Sequence, residues 1–189
     1  MAEQFYYLVA TLPELGFGER PPLTAAAFLD RCRGVVPAQA LEVLEKVSLF
    51  REQPATGLEI LDQWHARDHA LRNALVRMRA QRMGTDPARH LRAETIDPEA
   101  ARAARMAMET ESPREADELL DRARWRWLNE FEALHFFDLE RLVIHALKLQ
   151  LLERRWQFNK EAGRKALSGY RAAAVEAGRQ ACAREKSSP

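Results

Sequence analysis

Residues 136–158 read FFDLERLVIHALKLQLLERRWQF. This is the longest near-continuous apolar run of the chain, and its periodicity decides the fold. At 3.6 residues per turn, Leu139, Leu142, Val143, Ala146, Leu147, Leu149 and Leu151 spread around most of the circumference, whereas a surface helix confines its apolar residues to one stripe. The run therefore predicts a long central helix with the other elements packed around it. His145, Lys148 and Gln150 interrupt its most apolar part, which predicts burial in protein and not in lipid. Arg141, Lys148 and Arg155 recur at sevens and share one narrow strip, with His145 beside it. Bases exposed along such a slot of a central helix can dock an acidic partner surface, or they can simply solvate its one exposed edge.

The composition suits a helical chain with room for one domain: 189 residues, 47% hydrophobic, 30% charged and 8 glycines. A net charge of +1 supplies no general basic field for nucleic acid. Acids dominate from about residue 109 to 140 and bases from 141 onward, so the surface carries an acidic and a basic side or ordinary solvated helix faces. Cys32 and Cys182 stand far apart with no His or Cys at ligand spacing, the pattern of reduced thiols in a cytosolic protein. The opening MAEQFYYLVATL carries an acid, no basic leader and too short an apolar run for a signal or a membrane span. The expectation is a cytoplasmic chain, on the inner face of the cell membrane only through a partner.

Outward from the central run, the elements follow from their punctuation. Residues 5–12, FYYLVATL, read as a short strand or an extended segment plugging the core, with no sheet to join. Gly16, Gly18 and Pro21-Pro22 then enforce a loop, with Phe17 as a hydrophobic plug and not part of a phosphate loop. Thr24 caps a helix over 25–33 that Gly34 ends, and a second helix over 37–50 carries Leu41, Leu44, Val47 and Leu49. After a break at 54–57, a long helix spans 58–83 with Gly84 as its stop. Its stripe of Leu61, Trp64, Leu71, Leu75 and Met78 contains one misfit, Asp68. That carboxylate either pairs with Arg72 one turn on or faces solvent where the stripe drifts. Residues 85–97 are irregular with a turn near 88–91, and Asp97-Pro98 opens a helix to about 108. The 83–112 region shows the weakest apolar periodicity and the best claim to mobility. Ser112-Pro113-Arg114-Glu115 is a capping box for a helix reaching 134 that buries Leu120, Ala123, Trp127 and Phe131. The fold class is thus all-α, an antiparallel bundle over 1–162 with a long central C-terminal helix, a short extended N-terminal segment and a helix-prone basic tail over 163–189.

Chemistry-bearing patterns are few. Glu132 with His135 forms E-x-x-H, and Asp62 with His65 forms D-x-x-H on another helix. A di-iron bundle needs two E-x-x-H pairs and two further glutamates, so these four residues define an alternative reading as a metal-dependent helical enzyme. His65 and His69 resemble a zinc-binding helix, but Ala66 stands where the general base belongs. No serine, cysteine or lysine has a base partner at readable spacing, and no dinucleotide turn or nucleophile elbow is present. No catalytic residue and no cofactor is expected. Arg124-Trp125-Arg126-Trp127 interleaves bases with aromatics as a single-strand binder does, yet Trp127 belongs to the core stripe. A general helical adaptor with acidic and basic faces is a further alternative.

Three stretches carry a family resemblance: YYLVATLPELGFGERPPLTAAAFLDRC at 6–32, WHARDHALRNALVRMRAQRMG at 64–84 and VIHALKLQLLERRWQF at 143–158. Together they resemble a family of bacterial proteins encoded with V/A-type ATPase subunits. That family is similar to a short form of the ATPase C subunit, the all-helical socket on the rotor ring that receives the central stalk. The resemblance implies a non-catalytic accessory or C-like subunit, with rotor-ring or central-stalk subunits as partners and no nucleic acid. Arg141, Lys148 and Arg155 are the candidate partner-binding residues, and Asp68 with Arg72 the candidate structural pair.

Overall fold

Asp138 accepts the backbone N–H of Arg141 at 3.0 Å and starts a helix that runs over Leu139–Gln157. All of residues 142–149 are buried, as the circumferential pattern of leucines requires. The computed structural model describes residues 5–50, 57–92, 96–157 and 160–186, without the side chains of 160–162 and 179–186. Phe158, at the end of the decisive run, and the Cys182 side chain lie outside the described residues. Among the described residues every regular element is a helix: α1 (Tyr6–Thr11), α2 (Ala25–Cys32), α3 (Ala38–Lys46), α4 (Glu59–Met83), α5 (Pro98–Glu109), α6 (Pro113–Glu132), α7 (Leu139–Gln157) and α8 (Lys160–Lys186), with a 3₁₀ turn at Ala88–His90. The chain is all-α. No described helix is long and apolar enough to cross a membrane.

The opening segment departs from its β-like composition and forms α1. With no strand beside it, the backbone is satisfied only by closing hydrogen bonds on itself. Leu8 is buried, the Thr11 hydroxyl donates to Leu8 O at 2.8 Å, and the Phe5 N–H donates to Phe137 O at 2.6 Å, tying this end to the α6–α7 turn.

The next two helices lean on α7 for their ends. Thr24 caps α2 by accepting from Ala27 N at 3.0 Å, and Glu153 of α7 accepts from Ala25 N at 2.9 Å. The helix expected over 37–50 stops at Lys46. Val47 and Leu49 stay buried beyond it because the Gln150 amide completes their backbone, donating to Val47 O at 2.9 Å and accepting from Leu49 N at 2.8 Å. Of the break expected at 54–57, only Gly57 is described, at φ +74°.

The α4 helix ends as predicted. Gly84 takes the left-handed conformation and Thr85 N returns to Ala80 O at 3.0 Å. The following loop is pinned back on α4, since Asn73 donates to Arg92 O at 3.3 Å and accepts from Arg92 N at 2.9 Å. Asp97 caps α5 through Glu99 N and Ala100 N, and α5 packs between α4 and α6. The weak apolar periodicity of 83–112 is a matter of residue size: the buried positions of α5 are Ala100, Ala104 and Ala107. Alanines contribute little to a hydrophobic pattern but let helices approach closely. Ser112 then caps α6 through Glu115 N at 3.4 Å, and Leu120, Ala123, Trp127 and Phe131 are buried as the stripe predicts.

Residues up to Glu153 form one compact unit, and those from Arg154 form a second. The core of the first unit centres on Phe28, Leu44, Trp64, Leu71, Trp127, Leu142 and Leu147. In the second, residues 163–178 of α8 are exposed throughout, including Leu167, Tyr170 and Val175.

Candidate functional site

Two clusters of ionisable groups lie inside the first unit. The first settles the Asp68 alternative in favour of burial. Asp68 is 3% exposed and accepts from Arg124 Nε and Nη2, both at 3.0 Å, while its other oxygen lies 2.6 Å from Arg72 Nε. Arg72 is therefore a partner, as its spacing predicts, but Arg124 on α6 supplies the two-nitrogen contact. Arg124 also reaches Asp121 at 3.2 Å. Two carboxylates and two guanidiniums thus balance, and both guanidiniums stand 5.4 Å from the Phe50 ring centroid. The arrangement locks α4 to α6 and offers no chemistry. Arg124, Trp125 and Trp127 are all buried, Trp127 on the core stripe as expected.

The second cluster gathers around the strip on α7. Glu132, near the end of α6, meets Arg141 Nη1 at 2.6 Å and Lys148 Nζ in a short contact, one cation to each oxygen. Lys148 is 3% exposed and His145 4%. The expected exposed basic edge is thus corrected at Lys148. The α6 carboxylate draws the ammonium inward, and its stem lies along the core while Nζ sits 5.1 Å from the Trp125 ring centroid. Arg141 and Arg155 are half-buried. Burial lowers the affinity of Lys148 for its proton; the Glu132 contact opposes that shift and the Arg141 charge adds to it. His145 is pushed down to about 4, first by burial and then by the charges of Arg141 and Lys148. Its imidazole is neutral at pH 7, packs 5.2 Å from the Phe28 ring, and has no hydrogen-bond partner at the buried Nε2.

These residues form one wall of a cleft of about 520 Å³. The loop after α1 forms the other with Leu12, Leu15 and Phe17, and Trp125 and Asn129 of α6 close its side. Phe17 does act as a plug, 5.7 Å from the Trp125 ring and under the Arg122 guanidinium at 4.9 Å. Among the expected residues, Arg141, Lys148 and His145 meet here. Trp125, Asn129 and the loop had no signal that joined them to the strip, because the pairing runs through Glu132, which the E-x-x-H pattern had marked as a metal ligand.

The four residues of that pattern are not assembled into one ligand set. Asp62 is exposed and His65 lies beside His69 at 6.3 Å between rings. His135 Nδ1 lies 2.7 Å from Asp138 Oδ2, while Glu132 holds its two cations. Among the described residues the group at metal-ligand spacing is His135, Asp138 and Glu140, and its Asp138 is already the cap of α7.

A third feature is apolar and exposed. At the corner where α1 meets the α6–α7 turn, Tyr6 packs on Phe137 at 4.5 Å between ring centroids. Tyr7 beside it is 79% exposed, and Leu134 and Phe136 are 76% and 67% exposed. No family model, no curated protein and no solved structure matches this chain.

Proposed function

We propose that this chain is a non-catalytic docking protein, an accessory or C-like subunit of a bacterial V/A-type rotary ATPase, which binds rotor or stalk components through helix faces. The observation that supports docking is the aromatic corner of Tyr6, Tyr7, Leu134, Phe136 and Phe137. Large apolar side chains clustered in water mark an interaction surface, and the Phe5–Phe137 backbone hydrogen bond holds the two contributing segments together. The nature of the partner rests on the three resembling stretches, the first of which contains Tyr6 and Tyr7. In this reading the first unit packs as an antiparallel bundle and stays on the cytoplasmic side, reaching the membrane through its partner. Arg141 supplements the contact, from which buried Lys148 is withdrawn.

A tagged chain incubated with native membranes tests this. Capture of ATPase rotor or stalk subunits is expected, with loss of capture in a Tyr7→Glu, Phe136→Glu variant whose circular dichroism and melting temperature match the parent. Capture that contains no ATPase subunit overturns the reading, and so does undiminished capture by the variant.

A further inference from the structure

The cleft between the post-α1 loop, α6 and α7 carries an inference that stands apart from docking. Its more enclosed charges do not cancel: half-buried Arg141 and buried Lys148 contribute two positive charges and half-buried Glu132 one negative. Glu14 also lines the cleft but is exposed to solvent, where its charge is screened. His145 also lines the cleft and is 96% removed from solvent. The opposite wall carries Leu12, Leu15 and Phe17 beside Glu14. A volume of about 520 Å³ falls in the range of small-molecule sites.

We propose that this cleft binds a small organic monoanion, a carboxylate with an aromatic or aliphatic body, its acid group on Arg141 and Lys148 and its body against Phe17 and Trp125. One negative charge neutralises the surplus left by Glu132, whereas a dianion such as phosphate overshoots it and finds no use for the apolar side chains. His145, which lines the cleft, senses the bound carboxylate as a neighbouring charge. Lys148, desolvated and shared between Glu132 and the Trp125 ring, gains a second anionic neighbour.

The test titrates phenylacetate, acetate and inorganic phosphate into the full chain labelled with ¹³C-histidine, following the His145 Cε1–H resonance, which is assigned by its loss in His145→Gln. A saturable shift is expected with phenylacetate, a weaker one with acetate and the weakest with phosphate. Arg141→Gln, at a half-buried position, should weaken phenylacetate binding roughly tenfold, the loss of one charge-assisted hydrogen bond. Glu132→Gln raises the surplus charge and should tighten binding, a change opposite in sign to any loss from misfolding. No saturable shift with phenylacetate overturns the proposal, as does phosphate binding as tightly as phenylacetate. Weakened binding in Glu132→Gln with unchanged melting temperature overturns it too.

Discussion

Arg124 donates to one oxygen of Asp68 from both Nε and Nη2, at 3.0 Å each, across 56 residues of sequence. Each side chain is more than nine-tenths buried, so each is tolerated only because opposite charges surround it, Arg72 and Asp121 among them. Truncating one partner of a buried pair leaves an uncompensated charge, which costs about 3–5 kcal/mol. Arg124→Met should destabilise the chain by that amount in urea unfolding. In a double-mutant cycle with Asp68→Asn, the double variant should lose less than the sum of the two single losses.

Leu147 has no accessible surface and lies at the centre of α7. Leu147→Ala removes buried methyl groups and leaves a cavity, at a cost of about 2–5 kcal/mol. The same change at Leu167, 69% exposed on α8, should fall within about 0.5 kcal/mol of the parent. Urea midpoints of the two variants check the contrast.

Ala104 is fully buried where α5 packs between α4 and α6. Ala104→Leu forces extra volume into that seam, and overpacking of this kind costs about 1–3 kcal/mol. Increased amide exchange in residues 98–109 of the variant would locate the effect. A neutral substitution would mean the seam has slack.

His145 makes stability depend on pH. Its pKa falls from 6.5 to about 4, through burial first and the Arg141 and Lys148 charges second. Between those values the unfolded chain binds a proton that the folded chain excludes. Stability from this group is therefore complete above pH 6.5 and declines as the pH falls toward 4, with a full loss of about 3 kcal/mol. His145→Gln should flatten that part of the profile of unfolding free energy between neutral pH and about pH 4.5. An unchanged slope would count against a buried neutral imidazole.

Helix identity was legible wherever a cap, a stop and an apolar stripe agreed, as at Thr24, Ser112, Asp97 and Gly84. Misfits in a pattern were legible as well: Asp68 stood out on its stripe, with a pairing to Arg72 and a solvent-facing position both open. What stayed hidden arises between elements distant in sequence. Arg124 looked like one base among many, since nothing local ties it to Asp68. Lys148 looked like part of a solvated edge, since the carboxylate that draws it inward is on α6. The α5 seam was invisible because alanine is a weak hydrophobic marker. The β-like run at 5–12 misled because strand propensity reflects packing in a sheet, and no described element offers one. Of the cleft, the α7 side chains were legible as a group, while the loop and Trp125 that enclose them were not.

Gln150 and Glu153, both on α7, satisfy backbone groups of α2 and of the segment after α3, across separations of 101 to 128 residues. The folding order of the chain follows from this. The N-terminal helices reach their native ends only after α7 has arrived, so their closure carries the entropy of a very long loop. The transition state is expected to contain α4, α5 and α6, which contact one another locally in sequence, with the α2–α3 pair joining late and showing low φ-values. A nascent chain lacking α7 would hold that first pair open, with Phe28 and Leu44 unburied, as a ready target for chaperones.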